Sequence, residues 1–229
     1  MNIETLKFEN LSLEQQGSKP VFDAVNFEFP MNGTFQVRAS NGAGKSLLLK
    51  LLAGIQEPTG GRYLVNGLDV SQMSFEEYAP YRLRTGYAFD SGGLISNRTI
   101  RQNLMLPFFF HRDRSADEAE ARVTRYCKLF ELSAVSELRP AFASNGQRKA
   151  CLLARAIIHE PQLLLLDDPT GGLDGKHKTV LIELIKSLQA GGLLRHLYFA
   201  SEDESFTRYF DFSAVDISRR GLQIVEAAA

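Results

Sequence analysis

Hydrophobic and polar positions alternate over the first 35 or so residues, in Leu6-Lys7-Phe8-Glu9 and again in Val25-Asn26-Phe27-Glu28-Phe29, with turn residues between. A two-residue period is that of strands with one buried face, so this region predicts short antiparallel strands. Thr34-Phe35-Gln36-Val37-Arg38-Ala39 reads as a further strand, running into Ser40-Asn41-Gly42-Ala43-Gly44-Lys45-Ser46. Leu47-Leu48-Leu49-Lys50-Leu51-Leu52-Ala53 follows as a helix stopped by Gly54. Residues 57–73 hold the turn glycines Gly60, Gly61 and Gly67 around another short strand. From about Asp90 to Phe142 the pattern is mainly helical, with the acids and bases of Arg112–Arg125 forming a solvated stretch. Gly146 to His159 predicts a strongly amphipathic helix. Leu163-Leu164-Leu165-Leu166, wholly apolar and followed by two acids, predicts a strand buried on both faces. A helix over 176–190, a strand around Leu197–Ala200 and a hairpin near 212–226 complete the pattern, without internal repeat or evident linker. Strands alternating with helices predict an α/β fold with a parallel-sheet core.

Composition narrows this picture. Of 229 residues, 44% are hydrophobic and 23% charged, an ordinary globular balance that counts against disorder. The 26 basic side chains are matched by 27 acidic ones, so the basic excess of a phosphate-neutralising nucleic-acid binder is missing and no nucleic-acid partner is expected. Two cysteines, Cys127 and Cys151, do not make a disulfide framework, and a reducing cytoplasm is the expectation. The residues after Met1 show neither a basic nor an apolar leader region, so no signal peptide is expected. No apolar run approaches the roughly 20 residues needed to span a bilayer, so work at a membrane would require a partner to supply the membrane part.

The strongest chemical signal is Ala39-Ser40-Asn41-Gly42-Ala43-Gly44-Lys45-Ser46, followed by Leu47. A strand-to-helix turn of small residues aims successive backbone N–H groups at phosphate oxygens. Gly42 and Gly44 permit close approach because they carry no Cβ. Lys45 can reach the β- and γ-phosphates of a nucleotide, and the Ser46 hydroxyl suits Mg²⁺. The usual first glycine of such a loop is Ala39 here, a small change at the end of a strand.

Three further segments carry a specific resemblance. Ser144-Asn145-Gly146-Gln147-Arg148 resembles the Leu-Ser-Gly-Gly-Gln signature of ATP-binding cassette (ABC) proteins. Leu163-Leu164-Leu165-Leu166-Asp167-Asp168 resembles their Walker B strand, and Pro169-Thr170-Gly171-Gly172-Leu173-Asp174 their D-loop. Ser144 and Asp167 lie 23 positions apart, which matches the family spacing. The resemblance extends from the first strands to the last hairpin. It implies a P-loop NTPase (RecA-like) parallel-sheet core with an N-terminal antiparallel β subdomain, a helical subdomain at approximately 91–150, and one nucleotide-binding domain over 1–229. It also implies ATP and Mg²⁺ as ligands and two ATPase chains, identical or different, sandwiching two ATP molecules head to tail. Each ATP would lie on one chain's phosphate loop and meet the other chain's Ser144 and Gly146, at a helix start suited to anions. Asp167 would hold Mg²⁺ through water, Asp168 would orient the attacking water, and Asp174 would help the two chains sense each other.

The departures from the pattern are as informative. Asp168 stands where the family has Glu, one methylene longer, and a shift of about 1 Å can cost about 100-fold in rate. The Q-loop glutamine expected after Tyr87-Ala88-Phe89 is Asp90, a carboxylate able to approach Mg²⁺. The switch histidine expected after Tyr198-Phe199-Ala200-Ser201 gives way to Glu202-Asp203, an acid of the wrong sign beside a γ-phosphate. The aromatic that often stacks on adenine falls near Gln16, with Phe22 close by in sequence. The signature carries Asn145 for Gly and Ala143 for the preceding Leu. One such change reads as neutral variation in an ordinary transporter ATPase. Five, all at contacts with ATP, Mg²⁺ or water, favour impaired turnover at Asp168 and Glu202.

His111, His159, His177 and His196 show no ligand spacing, and Cys127 and Cys151 read as helix packing residues. Phe108-Phe109-Phe110, after Leu104-Met105-Leu106-Pro107, reads as core or interface. In the family, the region after the Q-loop docks a membrane subunit. The stretch from Asp90 through Pro107 is also similar to the ATPases of Mce-type lipid-transport systems. The expectation is therefore a cytoplasmic subunit, peripheral on the inner face of the membrane through transmembrane permease subunits, working in transport of a lipid or other hydrophobic substrate. A nucleotide-dependent clamp in a non-transport membrane complex is the second class. A DNA-handling ABC protein is disfavoured, because Asp90 and Ser144 are only 54 positions apart, which leaves no room for a coiled-coil arm.

Overall fold

The computed structural model describes residues 2–14, 20–40, 42–90, 92–110, 114–218 and 221–225. Asn41 of the phosphate loop, Gln16, Ser91, His111 and Arg112 lie outside the described residues. The alternating N-terminal pattern forms β1 (Leu6–Leu13) and β2 (Phe22–Glu28), which pair antiparallel. With β4 (Gly60–Val65) and β5 (Leu68–Asp69) they make a four-stranded sheet in the order β2-β1-β4-β5.

A second sheet has the order β10-β9-β3-β8-β7-β6. Its β3 (Gly33–Arg38), β6 (Thr85–Ala88), β7 (Leu163–Asp167), β8 (His196–Ala200) and β9 (Ser213–Ser218) run parallel, and β10 (Gly221–Val225) closes the edge antiparallel to β9. β7 and β8 are buried throughout, as unbroken apolar runs in the middle of a covered sheet must be. Gly86 lets the helix Asn145–Ile157 pack close, because a Cβ there would lie 2.1 Å from the Ala156 carbonyl oxygen.

The helices are α1 (Lys45–Leu52), α2 (Phe75–Arg82), α3 (Ile100–Phe110), α4 (Ala116–Leu129), α5 (Asn145–Ile157), α6 (Gly175–Ala190) and the short α7 (Glu204–Thr207). α2 and β6 carry no hydrophobic period that foretells them. α2 is instead started by a reciprocal Ser74–Glu77 capping box. The Arg112–Arg125 stretch proves to be more than solvated surface. From Ala116 on it is α4, which packs on α3 and buries Ala119 and Val123 in the helical core.

Two cores result. One lies between the antiparallel sheet, α1 and one face of the parallel sheet, and holds Phe8, Leu48 and Tyr198. The other lies under α3, α4, α5 and α6 and takes in both cysteines. His196, 1% exposed, accepts the Asn32 N–H at Nδ1 and faces the Ile3 carbonyl with Nε2, and burial depresses its pKa. It is a satisfied core histidine tying β8 to the start of the chain. Among the described residues, no helix is long and apolar enough to cross a membrane.

Candidate functional site

The C-terminal ends of β3 and β7 carry the chemistry, where loops leave a parallel sheet. After β3 the chain turns through Gly42 (φ 77°) and Gly44 (φ 103°), left-handed conformations that glycine alone adopts without strain. A Cβ on Gly44 would also lie 2.5 Å from the Val21 side chain. Gly44 heads α1 with no side-chain cap, so the first N–H groups of that helix stay available to an anion. Lys45 Nζ lies 3.1 Å from the Ala39 carbonyl oxygen and 3.3 Å from Glu202 Oε1.

That contact decides which of the adjacent acids Glu202 and Asp203 faces Lys45. Glu202, its side chain 81% exposed, pairs with Lys45. Asp203 turns the other way, where it caps α7 and accepts from Lys178 at 2.7 Å. The Lys178 bond, with further bonds from Ser205 and Thr170, holds the Asp203 carboxyl far below the ordinary carboxylate range. A group with a depressed folded-state pKa contributes stability above its unfolded value, and that contribution is lost as pH falls through the folded one. Asp203→Asn is therefore expected to lower the melting temperature at pH 7, by an amount that shrinks below about pH 4. Melts of both proteins at several pH values check this, and an equal gap at all of them would contradict it.

Asp167, at the end of β7, is 6% exposed. Burial pushes its pKa up, and a bond from the Ser46 hydroxyl pulls it back. Asp90, at the end of β6, lies close enough to raise it further. Ser46 and Asp167 thus already face each other. One hydroxyl and one or two carboxylates, completed by phosphate oxygens and water, are the hard-oxygen set that suits Mg²⁺. Among the described residues, no three His, Cys, Asp or Glu side chains converge as a metal cage.

Asp168 takes a left-handed backbone conformation (φ 42°), which a short acid tolerates better than most side chains. Its Oδ2 lies 2.2 Å from where a Cβ on Gly171 would sit, so the carboxylate folds back onto the D-loop backbone. Asp174 caps α6 by accepting the His177 N–H at 2.9 Å and meets the same residue's Nδ1 at 2.8 Å. Those bonds depress the Asp174 pKa while leaving its side chain 64% exposed.

The signature opens α5. Ser144 Oγ accepts the Gln147 N–H, and Gln147 reaches back to the Ser144 N–H. Ser144 and Asn145 are exposed, and Asn145 Oδ1 accepts from Arg148. Ala143, in place of the usual Leu, is buried in the helical core.

Of the residues expected on the site, the described members of Ala39–Leu47, Asp90, Asp167, Asp168 and Glu202 lie at or just beyond the ends of β3, β6, β7 and β8, while Ser144–Gln147 open α5 and Asp174 caps α6. Phe22, close in sequence to the position where the family has an adenine-stacking aromatic, is 2% exposed and belongs to the core. Leu94 packs against the helical core, Leu104 and Phe108 are buried, and within the described residues 92–110 the exposed large apolar side chains are Ile95, Phe109 and Phe110. Phe109 and Phe110 join Phe75, Leu106 and Pro107 around an apolar groove of about 590 Å³. Two features escaped the sequence. Lys149, buried beneath the acids, looks like any polar position on an amphipathic helix. Phe142, 73% exposed and two residues before Ser144, gives no periodic signal.

The model of the ABC transporter family matches residues 22–171. Over 175 residues the chain is 33% identical to the methionine import ATP-binding protein MetN of Vibrio cholerae, covering 76% of this chain and 51% of that protein. Against the cell division ATP-binding protein FtsE of Haemophilus influenzae the identity is 31% over 189 residues, 82% of this chain and 86% of the relative. The MetN match extends over about half of that relative's length. Among solved structures, the dimeric bacterial ABC transporter cassette MJ0796 superposes with a TM-score of 0.83 at 22% identity, over 98% of this chain and 99% of the other. A structure described as the ATP-binding subunit of an ABC transporter gives 0.77 at 26% identity, over 93% and 86%.

Proposed function

The chain belongs to the ABC transporter family, and from that premise we propose that it is the ATP-binding subunit of a membrane complex, one nucleotide-binding domain over 1–229 with a helical subdomain at about 91–150. The single observation that carries the reading is the uncapped start of α1, with Lys45 and Ser46 facing Glu202 and Asp167. ATP binds with its phosphates on the 39–47 loop, where the backbone N–H groups and the Lys45 ammonium meet their negative charge. To do so it displaces Glu202 from Lys45. Ser46 and Asp167, with Asp90 beside them, hold Mg²⁺, which when bound offsets phosphate charge.

Asp168 orients water from a retracted position, and Glu202 sets a negative charge where a hydrogen-bond donor serves the terminal phosphate better. Turnover is accordingly slow. Ser144 and Gly146 of a second ATPase chain, identical or different, complete each site, with Asp174 near the contact.

The partner is a polytopic membrane protein, received in the groove walled by Phe75, Phe109 and Phe110, which places the chain on the cytoplasmic face. The cargo is a lipid or another hydrophobic molecule, a reading supported by the likeness of the 90–107 segment to Mce-type ATPases. A second reading, a nucleotide-dependent clamp without transport, is favoured by the near full-length likeness to a cell division ATP-binding protein.

Gentle detergent extraction is expected to recover two ATPase chains with a polytopic membrane protein. Phe109→Asp and Phe110→Asp, at side chains 62% and 63% exposed, should release the chain into the soluble fraction without lowering its melting temperature. Recovery of the native chain as a stable monomer without any membrane protein would contradict the transporter reading.

A further inference from the structure

Lys149, the fifth residue of α5, is 5% exposed, yet it carries an ammonium group. Its three donors meet three backbone carbonyls: Asp90 at 2.8 Å, Phe89 at 3.1 Å and Asp167 at 3.3 Å. Two of those carbonyls belong to Asp167, whose carboxylate bonds the Ser46 hydroxyl, and Asp90, whose carboxylate lies near that of Asp167. Burial lowers the lysine pKa, opposed by the nearby carboxylates of Asp168, Asp90 and Asp167. An apolar side chain of the same length would fill this volume at less desolvation cost. The ammonium is therefore explained by what it binds rather than by the space it fills.

The rest of the helix points the same way. Six residues on, Arg155 donates to the Gly93 carbonyl at 2.7 Å and to Asn103 Oδ1 at 3.2 Å. Asn103, fully buried, brackets Ile95 through both its N–H (2.8 Å) and its carbonyl (3.1 Å). The helix that begins at the signature Ser144 thus grips the 89–95 segment at both ends. It also reaches the Asp167 strand end and, through Arg155, the wall of the apolar groove.

We propose that Lys149 is a positioning residue, pinning the Phe89, Asp90 and Asp167 carbonyls to the signature helix so that the Asp90 and Asp167 carboxylates keep a fixed spacing and move with it. The inference rests on the nucleotide reading of this site. Among the described residues Lys149 bonds to the Phe89, Asp90 and Asp167 carbonyls and to no residue of the phosphate loop, so its loss disturbs the chemical step and leaves the first capture of ATP alone.

Three variants of the full chain test this: Lys149→Met, which removes the donors, Lys149→Gln, which keeps two without charge, and Lys149→Arg, which keeps both. In Lys149→Met, amide exchange over 86–90 and 165–168 is expected to rise about tenfold. kcat in the assembled complex falls about tenfold or more, as misplacement of that order implies. ATP affinity measured in EDTA stays within about twofold. Lys149→Arg recovers most of both losses, and Lys149→Gln recovers part. Wild-type exchange and kcat in Lys149→Met would overturn the proposal. So would equal losses in all three variants with a parallel fall in ATP affinity, the mark of a general packing defect. If the wild-type chain fails to bind ATP in the same titration, the nucleotide reading falls instead, and the exchange data still decide the role of Lys149.

Discussion

Changing Asp168 to glutamate and Glu202 to histidine together raises ATP hydrolysis by the assembled complex above the wild-type rate and above that of either change alone. The Asp168 carboxylate is one methylene short of the family's glutamate and lies folded against Gly171. A retreat of about 1 Å can cost about 100-fold, so Asp168→Glu is expected to give the larger gain, about tenfold to a hundredfold. The longer side chain sits less easily on the left-handed backbone at φ 42°, which trims the gain. Glu202 is mostly exposed, so water screens its repulsion of a phosphate and its replacement alone gives less. A histidine there still exchanges a repelling charge for a donor aimed at developing negative charge. Phosphate release from the two single variants, the double variant and wild type decides the matter. A double variant no faster than wild type would overturn the proposal that Asp168 and Glu202 slow turnover.

Lys45→Ala weakens ATP binding by about tenfold to a hundredfold. Each charge-assisted hydrogen bond to phosphate contributes about 1.5–3 kcal/mol, and alanine removes them all. The loss is smaller than that sum because Lys45 already has partners without nucleotide, the Ala39 carbonyl at 3.1 Å and Glu202 at 3.3 Å, and gives up part of them when ATP arrives. The same argument makes Glu202→Gln bind ATP more tightly than wild type. Titration with labelled ATP and Mg²⁺ reads both effects. Equal affinity in Lys45→Ala and wild type would sink the assignment of the 39–47 loop.

Local chemistry made much of this site legible. The strand, glycine turn and leucine-rich helix over 34–53 follow from period and turn residues alone, and the buried strand at Leu163–Asp167 follows from its unbroken apolar run. α2 and β6 were silent for physical reasons. α2 holds Pro80 and exposes its Phe75, while β6 is four residues long and contains Gly86, whose value lies in close contact with a helix far along the chain. Glu202 and Asp203 are adjacent acids, and it is contacts distant in sequence, Lys45 on one side and Lys178 on the other, that part their roles. Lys149 shows the limit most clearly. Its partners are backbone carbonyls 18 and about 60 residues away, and no side-chain pattern encodes them.

As proposed, this chain holds ATP at the 39–47 loop while acids at Asp168 and Glu202 slow its hydrolysis. The most direct test is one experiment on the native complex in saturating Mg²⁺ and ATP, counting bound nucleotide and released phosphate together. Occupancy near one nucleotide per ATPase chain, with turnover well below about 1 per second, is the predicted result. Turnover of about 1–10 per second, ordinary for enzymes, or a loop that stays empty at saturation would contradict it.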